Sequence, residues 1–301
     1  MNNHEGKIRL SHSALELLHS CERKFQLERL LKGAPDKQDY PATVLGKAFG
    51  AGVASYLITQ DQDKALYALY LAYYPELEDE QRSLLIATNL LMSTFDSLDN
   101  LLQDYDVAYL NGKPAEELSF SLDITDKYYF VGYIDVVLKN KWTGKYAILE
   151  NKTTAINLHD LSPLYANSGQ ALGYSIALDT IAGEDQSEYE VIYIVGQIGT
   201  KTNPLNNKIH VLTFQKNLSD RLNWFIALQL DVNRITDMLG MNIFPMRGSS
   251  CLHFMRPCNQ FGTCNLHGFD EYLPALVDDN LYDFNFNIDV VIANHLSRLS
   301  S

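Results

Sequence analysis

Two acidic residues and a lysine, separated by a turn, have the types and spacing that metal-assisted hydrolysis needs. Asp135 ends the segment Gly132-Tyr133-Ile134-Asp135, and the tripeptide Glu150-Asn151-Lys152 follows after fourteen intervening residues. Side chains alternate between the two faces of a β-strand, so Glu150 and Lys152 are expected on the same face. Read by itself, Glu-x-Lys is common, and a surface strand with scattered charges is the alternative interpretation.

The chain between the two carboxylates predicts a β-hairpin. A turn centred near Trp142 and Thr143 would place Asp135 opposite Glu150, and directly opposed side chains have Cβ atoms only ~5 Å apart. Two carboxylates at that separation repel each other unless a cation or a proton neutralises them. The spacing therefore predicts a site for a hard divalent metal such as Mg²⁺, which takes one or two carboxylates together with water and phosphate. Lys152 would orient or deprotonate a water there, or stabilise charge on a phosphate.

Gln170 and Tyr174 stand four residues apart in the next predicted helix and so share one of its faces. A helix in this position could present an amide and a phenol to a phosphate beside the metal. The alternative is that both side chains serve only in packing.

The four cysteines form one consistent set. Cys21 lies near the N-terminus, whereas Cys251, Cys258 and Cys264 cluster in a loop near the C-terminus. Four thiolates bind a [4Fe–4S] cluster or a structural zinc ion, and ligand chemistry alone does not separate the two. Most structural zinc sites use short Cys-x₂₋₄-Cys pairs, which this chain lacks. The same cysteines could instead be four unrelated buried thiols, or two disulfides in a secreted chain, although nothing in the sequence marks secretion.

The remaining sequence predicts an α/β fold, with a mixed sheet and helices on its faces. One domain is predicted over residues 1–277, with a helical part at 11–110, a catalytic core at 111–240 and a cysteine loop at 241–268; residues 278–301 are predicted to be a peripheral tail. Helical spacing predicts helices over 11–31, 44–58, 65–74, 78–105, 168–181 and 218–239. Apolar and β-branched segments predict strands over 128–138, 146–152, 189–195 and 209–214.

Composition limits the classes of function. The 301 residues carry a formal net charge of −13, which is the wrong sign for a protein that coats nucleic acid with its whole surface. A local basic groove remains compatible with this charge. The polar N-terminus and the lack of a long apolar run favour a cytoplasmic protein that does not span a membrane.

Taken together, these residues resemble the RecB-like branch of the PD-(D/E)xK nucleases that carries iron–sulfur clusters. That branch includes the AddB-type helicase–nuclease subunit, the CRISPR-associated iron–sulfur nucleases and phage exonucleases. The resemblance is carried by Ser11-His12-Ser13 with Cys21-Glu22-Arg23-Lys24-Phe25, by Gly132-x-Ile134-Asp135, Glu150-x-Lys152 and Gln170-x-x-x-Tyr174 in order, and by the three later cysteines.

The resemblance implies a restriction-endonuclease-like fold and hydrolysis of DNA phosphodiesters at single strands or ends, in recombination, repair or phage replication. It implies Mg²⁺ or Mn²⁺ on Asp135, Glu150 and the Asn151 carbonyl, and a [4Fe–4S] cluster on the four cysteines. Glu117 resembles a recurrent family glutamate with an accessory role. The family usually has Gly-x-x-x-His on an early helix, but here Gly46 is followed at the histidine position by Gly50.

Two further functions stay open at this point. A DNA-binding recombination partner that has lost efficient cleavage is favoured by the missing histidine and by the acidic charge. The other is an interaction protein that a zinc ion on the cysteines stabilises and whose carboxylate hairpin has no catalytic role.

Overall fold

The computed structural model describes residues 4, 6–31, 40–182, 186–253, 256–262, 264 and 283–300. Within these residues the chain runs from helices over 41–104 into strands over 105–154, followed by two helices, two strands and a long helix. The α-helices are α1 His12–Ser20, α2 Glu22–Phe25, α3 Pro41–Thr59, α4 Gln62–Ala72, α5 Leu84–Met92, α6 Phe95–Asp104, α7 Leu158–Ala166, α8 Gly169–Ala182, α9 Leu218–Met241 and α10 Ile288–Leu299.

The described strands include one large mixed sheet, in the order β12-β5-β6-β7-β8-β9, with β1 and β2 also pairing with β6. The mixture of parallel and antiparallel pairs, with helices packed on the sheet, confirms the predicted α/β class. The strands are β1 Ile8–Ser11, β2 Tyr105–Val107, β3 Tyr109–Leu110, β4 Lys113–Pro114, β5 Glu116–Asp123, β6 Tyr128–Asn140, β7 Tyr146–Thr154, β8 Glu188–Gln197, β9 Lys208–Asn217, β10 Leu252–His253, β11 Arg256–Pro257 and β12 Phe284–Asn287.

The chain divides into two compact units, each assembled from separate segments. The first draws on Met1–Lys37, Ser119–Gly132 and Ser219–Ser301, and the second on Gln38–Leu118 and Tyr133–Leu218. These units do not follow the predicted linear order of helical part, core and loop. The prediction of a single domain over 1–277 stays a prediction.

In the second unit, β7 is covered on both faces. Residues of α3 share an apolar core with Val136, Leu149 and Ile192, whereas α8 also packs on β7. Because side chains alternate along each strand, Asp135 and Glu150 project to the face opposite this α3 core. The carboxylates are thereby directed towards the face on which α8 can reach them.

One described helix, α3, is long and apolar enough by composition to cross a membrane. That is weak evidence, because 50% of its most apolar window is buried inside the protein and a core helix passes the same test. Buried Val44, Phe49, Val53 and Leu57 show that this helix contributes to the core.

The predicted helix over 11–31 is interrupted at Cys21. Helix α1 begins after Ser11, whose hydroxyl accepts a hydrogen bond from the Ala14 amide and so caps the helix. Cys21 is extended, with φ −162° and ψ 113°, and α2 then runs on into a π-helical turn, Gln26–Leu30. Likewise, the helix predicted over 78–105 is two helices, because Ser93 and Thr94 separate α5 from α6.

The described residues 283–300, which lie within the predicted tail 278–301, form β12 and α10. Strand β12 pairs in parallel with β5, with Phe284 beside Phe120 and Asn287 beside Asp123. Helix α10 buries Ile288, Val291 and His295. The segment has little periodicity by itself, because pairing with β5 and the burial of a few side chains hold it in place.

Candidate active site

The β6–β7 hairpin places the two predicted acidic residues opposite each other. The paired residues run from Lys139 beside Tyr146 to Val136 beside Leu149, and the next pair in this register is Asp135 with Glu150. The main chain supports the arrangement, because the Asn151 amide donates a 2.8 Å hydrogen bond to Asp135 Oδ2. The turn therefore lies at Trp142 and Thr143, as the sequence predicted.

Glu150, Lys152 and Gln170 form a closed set of hydrogen bonds. Lys152 Nζ donates to Glu150 Oε1 at 2.7 Å and to Gln170 Oε1 at 2.9 Å. Gln170 Nε2 donates to Glu150 Oε1 at 2.9 Å and to the Tyr174 hydroxyl at 2.6 Å. The structure thus brings together the predicted residues of β7 and α8, while their roles in chemistry stay predictions.

Burial makes the carboxylates of this site hard to ionise. Burial, followed by repulsion from Asp135, raises the pKa of Glu150 to about 8 against the attraction of Lys152. Burial also raises the pKa of Asp135, although the Asn151 amide and Lys152 act in the opposite direction. For Lys152, burial lowers the pKa, but the Glu150 carboxylate outweighs it and the net pKa is raised. Near neutral pH the site therefore binds a proton at Glu150 or needs a cation in its place.

Glu150 has one oxygen that suits such a cation. Its Oε1 accepts two hydrogen bonds, whereas Oε2 is buried and has no hydrogen-bond partner among the described residues. A buried carboxylate oxygen without a donor is costly unless a metal or a proton meets it. Asp135 and Glu150, completed by a main-chain carbonyl and water, are a ligand set that Mg²⁺ or Mn²⁺ accepts.

Glu117 contributes a third negative charge to the same site. Burial, repulsion from Asp135 and repulsion from Glu116 raise the pKa of Glu117, and Glu117 in turn helps to raise that of Glu150. Its backbone lies in the left-handed region, with φ 45°, a conformation that costs a glutamate on the order of 1 kcal/mol. Strain of this kind often marks functional positions, while the accessory role of Glu117 stays a prediction.

Gly50, the residue at the position of the missing histidine, lies against β7. A Cβ added there would find Asn151 Cβ as its nearest heavy atom, at 4.0 Å, which is ordinary contact. Position 50 therefore lies beside the residue between Glu150 and Lys152, with room for a first side-chain atom.

The four cysteines lie in the first unit and none forms a disulfide. Burial raises the pKa of the Cys264 thiol; charges on Cys21 and Cys251 act in the same direction, and Arg23 opposes them. Three of the thiols are thus near enough to interact. However, no group of three or more His, Cys, Asp or Glu side chains among the described residues is arranged to hold a metal ion. The residue types of the four cysteines fit a thiolate-bound cluster.

Hydrogen bonds join the break after α1 to the cysteine loop. The Arg23 amide donates to the Pro245 carbonyl at 3.1 Å, and Arg23 Nε donates to the Cys264 carbonyl at 3.1 Å. The Ser250 hydroxyl donates to the Ser20 carbonyl at 2.5 Å. Cys21 and the segment that carries the later cysteines are therefore held in the same part of the unit by hydrogen bonds to main-chain carbonyls.

Sequence reasoning missed the importance of Glu22. Its carboxylate is only 1% exposed and pairs with Arg234 and Arg247, and Arg247 Nε donates to Oε2 at 2.8 Å. The Cys251 thiol contacts the Arg247 carbonyl at 3.7 Å, so Glu22 positions the segment that leads into the cysteine loop. The position of Glu22 directly after Cys21 was the available signal for a structural role. Its arginine partners could not be identified, because they are more than 200 residues away in the sequence.

Tyr193 was also missed near the site. It lies beside Glu150 in the parallel β7–β8 register, its ring packs on that of Tyr165 with centroids 5.0 Å apart, and burial is the largest cause of its raised pKa. The neighbour of Glu150 on β8 depends on strand register, which the sequence of β8 does not reveal.

Comparison with known proteins identifies the family. A family profile described as the PD-(D/E)XK nuclease superfamily matches residues 9–264. Among curated proteins, none matches the chain. A solved structure named "Putative exonuclease", from Eubacterium rectale, is similar with 12% identity and a TM-score of 0.46, covering 82% of this chain and 86% of that chain. The family match spans the hairpin, α8 and all four cysteines, and the chain therefore belongs to the PD-(D/E)XK nuclease superfamily.

Proposed function

We propose that this protein is a metal-dependent deoxyribonuclease that acts as an exonuclease on single strands or DNA ends. The observation that carries the proposal is the buried Glu150 opposite Asp135, with its Oε2 unpaired and its pKa raised to about 8. Family membership supplies the reaction class of phosphodiester hydrolysis. Recombination, repair or phage replication are the processes proposed for it.

Asp135 and Glu150, with the Asn151 carbonyl, would hold Mg²⁺ or Mn²⁺. The bound ion would polarise a phosphoryl oxygen and lower the pKa of water. In its absence, Lys152 and Gln170 both direct donors at Glu150 Oε1. Lys152 and Gln170 would keep their donors on this side of the metal ligands, where they could also bind phosphate oxygens.

Lys152 is proposed to orient the attacking water or to stabilise negative charge on the phosphate. Two of its three N–H donors bind Glu150 and Gln170, which leaves one for a substrate oxygen. Its raised pKa keeps it cationic at neutral pH, and this favours stabilisation of phosphate charge over removal of a proton. Tyr174 and Gln170 would position the DNA backbone on the same side.

The four cysteines are proposed to bind a [4Fe–4S] cluster, with zinc as the alternative. The cluster would have a structural role, because Cys21 lies at the break between α1 and α2 while its partners lie in the later loop. It would join the two segments that Glu22 and Arg23 already connect.

The test is cleavage of end-labelled DNA by the whole protein in Mg²⁺ and in Mn²⁺. Linear single strands, linear duplexes and circular single strands of matched sequence separate the activities. Loss of label from linear substrates, with circles left intact and with no cleavage by Asp135→Asn, is the expected result. Cleavage of circles would make it an endonuclease, and equal cleavage by Asp135→Asn would place the active site elsewhere.

A non-catalytic DNA-binding partner is the second candidate. It is favoured by glycine at position 50 and by the net charge of −13. Binding of the labelled strands without cleavage in either metal would select it.

A further inference from the structure

Helix α4 exposes large apolar side chains along one face. Tyr67, Tyr70 and Leu71 are 63%, 62% and 62% exposed, and Tyr74, which follows the helix end, is 53% exposed. Residues spaced by three and four positions share one face of a helix. The opposite face is buried through Ala65 and Leu69 and packs on α3 and α5. The four exposed residues are called the α4 stripe below.

The stripe is comparable in area with the largest apolar patch of a typical monomer, which is often functional. If each side chain has roughly 200 Å² of surface, the exposed apolar area is on the order of 500 Å². Tyrosine is also enriched at the centres of protein interfaces. No hydrogen bond of the Tyr67, Tyr70 or Tyr74 hydroxyls is formed with the described residues. An area of this size suits a short amphipathic segment better than a whole globular partner.

Negative charge borders the stripe at both ends. Asp63 lies one turn before Tyr67, and Glu76 and Glu80 follow the end of α4. These three carboxylates are exposed and form no ion pair with the part of the chain that the structure describes. The carbonyl end of α4 adds partial negative charge on the Glu76 side.

We propose that the α4 stripe is a docking site for a basic amphipathic segment of another protein. Its apolar side chains would cover the tyrosines and Leu71, and Lys or Arg at its two ends would meet Asp63 and Glu76. The helix is 11 residues long, so the two acidic ends are roughly 16 Å or more apart. About three turns or more of a partner helix would span that distance, and stacked cations would add cation–π attraction to the tyrosines.

The charges argue against two other occupants. A nucleic acid would bring phosphates against Asp63, Glu76 and Glu80, although its bases could stack on tyrosines. A second copy of this chain, docked symmetrically, would face the acidic ends of one stripe with those of the other. The stripe also lies on a helix that contributes none of the proposed catalytic residues, so this inference is independent of the proposed function.

The test uses the whole protein and a fluorescent 15-residue peptide probe, with leucines at i, i+3, i+4 and i+7 and lysines at both ends. Anisotropy is measured for wild type, for Tyr70→Ser with Leu71→Ser, and for Asp63→Lys with Glu76→Lys. Tyr109→Ser is the matched control, because Tyr109 is 65% exposed and lies outside the stripe. A peptide with glutamates in place of the lysines and a 15-nucleotide oligo-dT are the comparison probes.

Binding of the basic peptide should weaken about tenfold or more in both double variants and stay unchanged in Tyr109→Ser. Added salt should weaken it as well. Failure of wild type to bind this probe, or equal binding by the double variants, would overturn the proposal. Loss of oligo-dT binding in Tyr70→Ser with Leu71→Ser, with binding retained in Tyr109→Ser, would make the stripe a nucleic-acid site and overturn the proposal. A wild-type dimer in sedimentation that Tyr70→Ser with Leu71→Ser dissociates would make the occupant a second copy.

Discussion

Replacing Glu150 with glutamine should stabilise the metal-free protein at alkaline pH while abolishing cleavage. Burial and Asp135 raise the pKa of Glu150 from its ordinary 4.5 to about 8. Because the folded protein holds this proton more tightly than the unfolded chain, the stabilisation is complete below pH 4.5 and is lost as the pH rises towards 8. Glutamine is neutral throughout, so the variant should not lose stability over this window.

The size of the effect follows from the pKa difference. At about 1.4 kcal/mol per unit, the difference between 4.5 and about 8 sets a ceiling of about 5 kcal/mol. We expect about 2 kcal/mol at pH 8, because side-chain relaxation and water raise the effective dielectric constant around buried charges. That difference corresponds to about 3 °C in the melting temperature of a chain of 301 residues.

Thermal melts in EDTA at pH 5, 6, 7 and 8 measure the effect. The melting temperature of Glu150→Gln should rise relative to wild type with each step of pH, and Mg²⁺ should remove the difference by stabilising wild type only. Glu80→Gln is the control, because Glu80 is exposed. Parallel pH profiles for Glu150→Gln and wild type would refute the reasoning, and unfolding of the variant at every pH would mean that Glu150 is a structural partner.

Other variants test the remaining proposals. Lys152→Met should lower the cleavage rate by about 10²-fold or more with little effect on DNA affinity, because the lysine stabilises developing charge; a change in affinity alone would assign it to binding. Gly50→His should lower the concentration of Mn²⁺ that cleavage requires, and should lower the required concentration of Mg²⁺ less, since imidazole favours Mn²⁺. An unchanged Mn²⁺ requirement would show that position 50 does not face the metal. Protein purified without oxygen should be brown and contain iron, and Cys21→Ala should lose both properties; a colourless protein with one zinc ion per chain would keep the four-cysteine site and exclude iron. Glu22→Ala should lower stability by about 2 kcal/mol, because Arg234 and Arg247 lose a buried partner while remaining partly hydrated; equal melting temperatures would show that the ion pairs do not hold the loop.

Local patterns in the sequence were enough to predict the hairpin and its acidic pair. The period of two along β7 places Glu150 and Lys152 together, and the turn at Trp142 and Thr143 sets Asp135 opposite Glu150. The four-residue spacing of Gln170 and Tyr174 predicted that they share a face of α8, where Gln170 Nε2 contacts the Tyr174 hydroxyl. These relations depend only on the geometry of single strands and helices, so the sequence by itself determined them.

Tertiary structure decided what these residues meet. The docking of α8 on β7 brings Gln170 to Glu150, and the surrounding burial raises the pKa of that carboxylate. Pairing with β5 turned a weakly patterned C-terminal segment into β12, and distant arginines made Glu22 a buried anchor. Such contacts join residues far apart in the chain, and desolvation arises only when several elements pack together. Neither leaves a periodic signal in the local sequence, because both depend on which surfaces meet after the elements have formed.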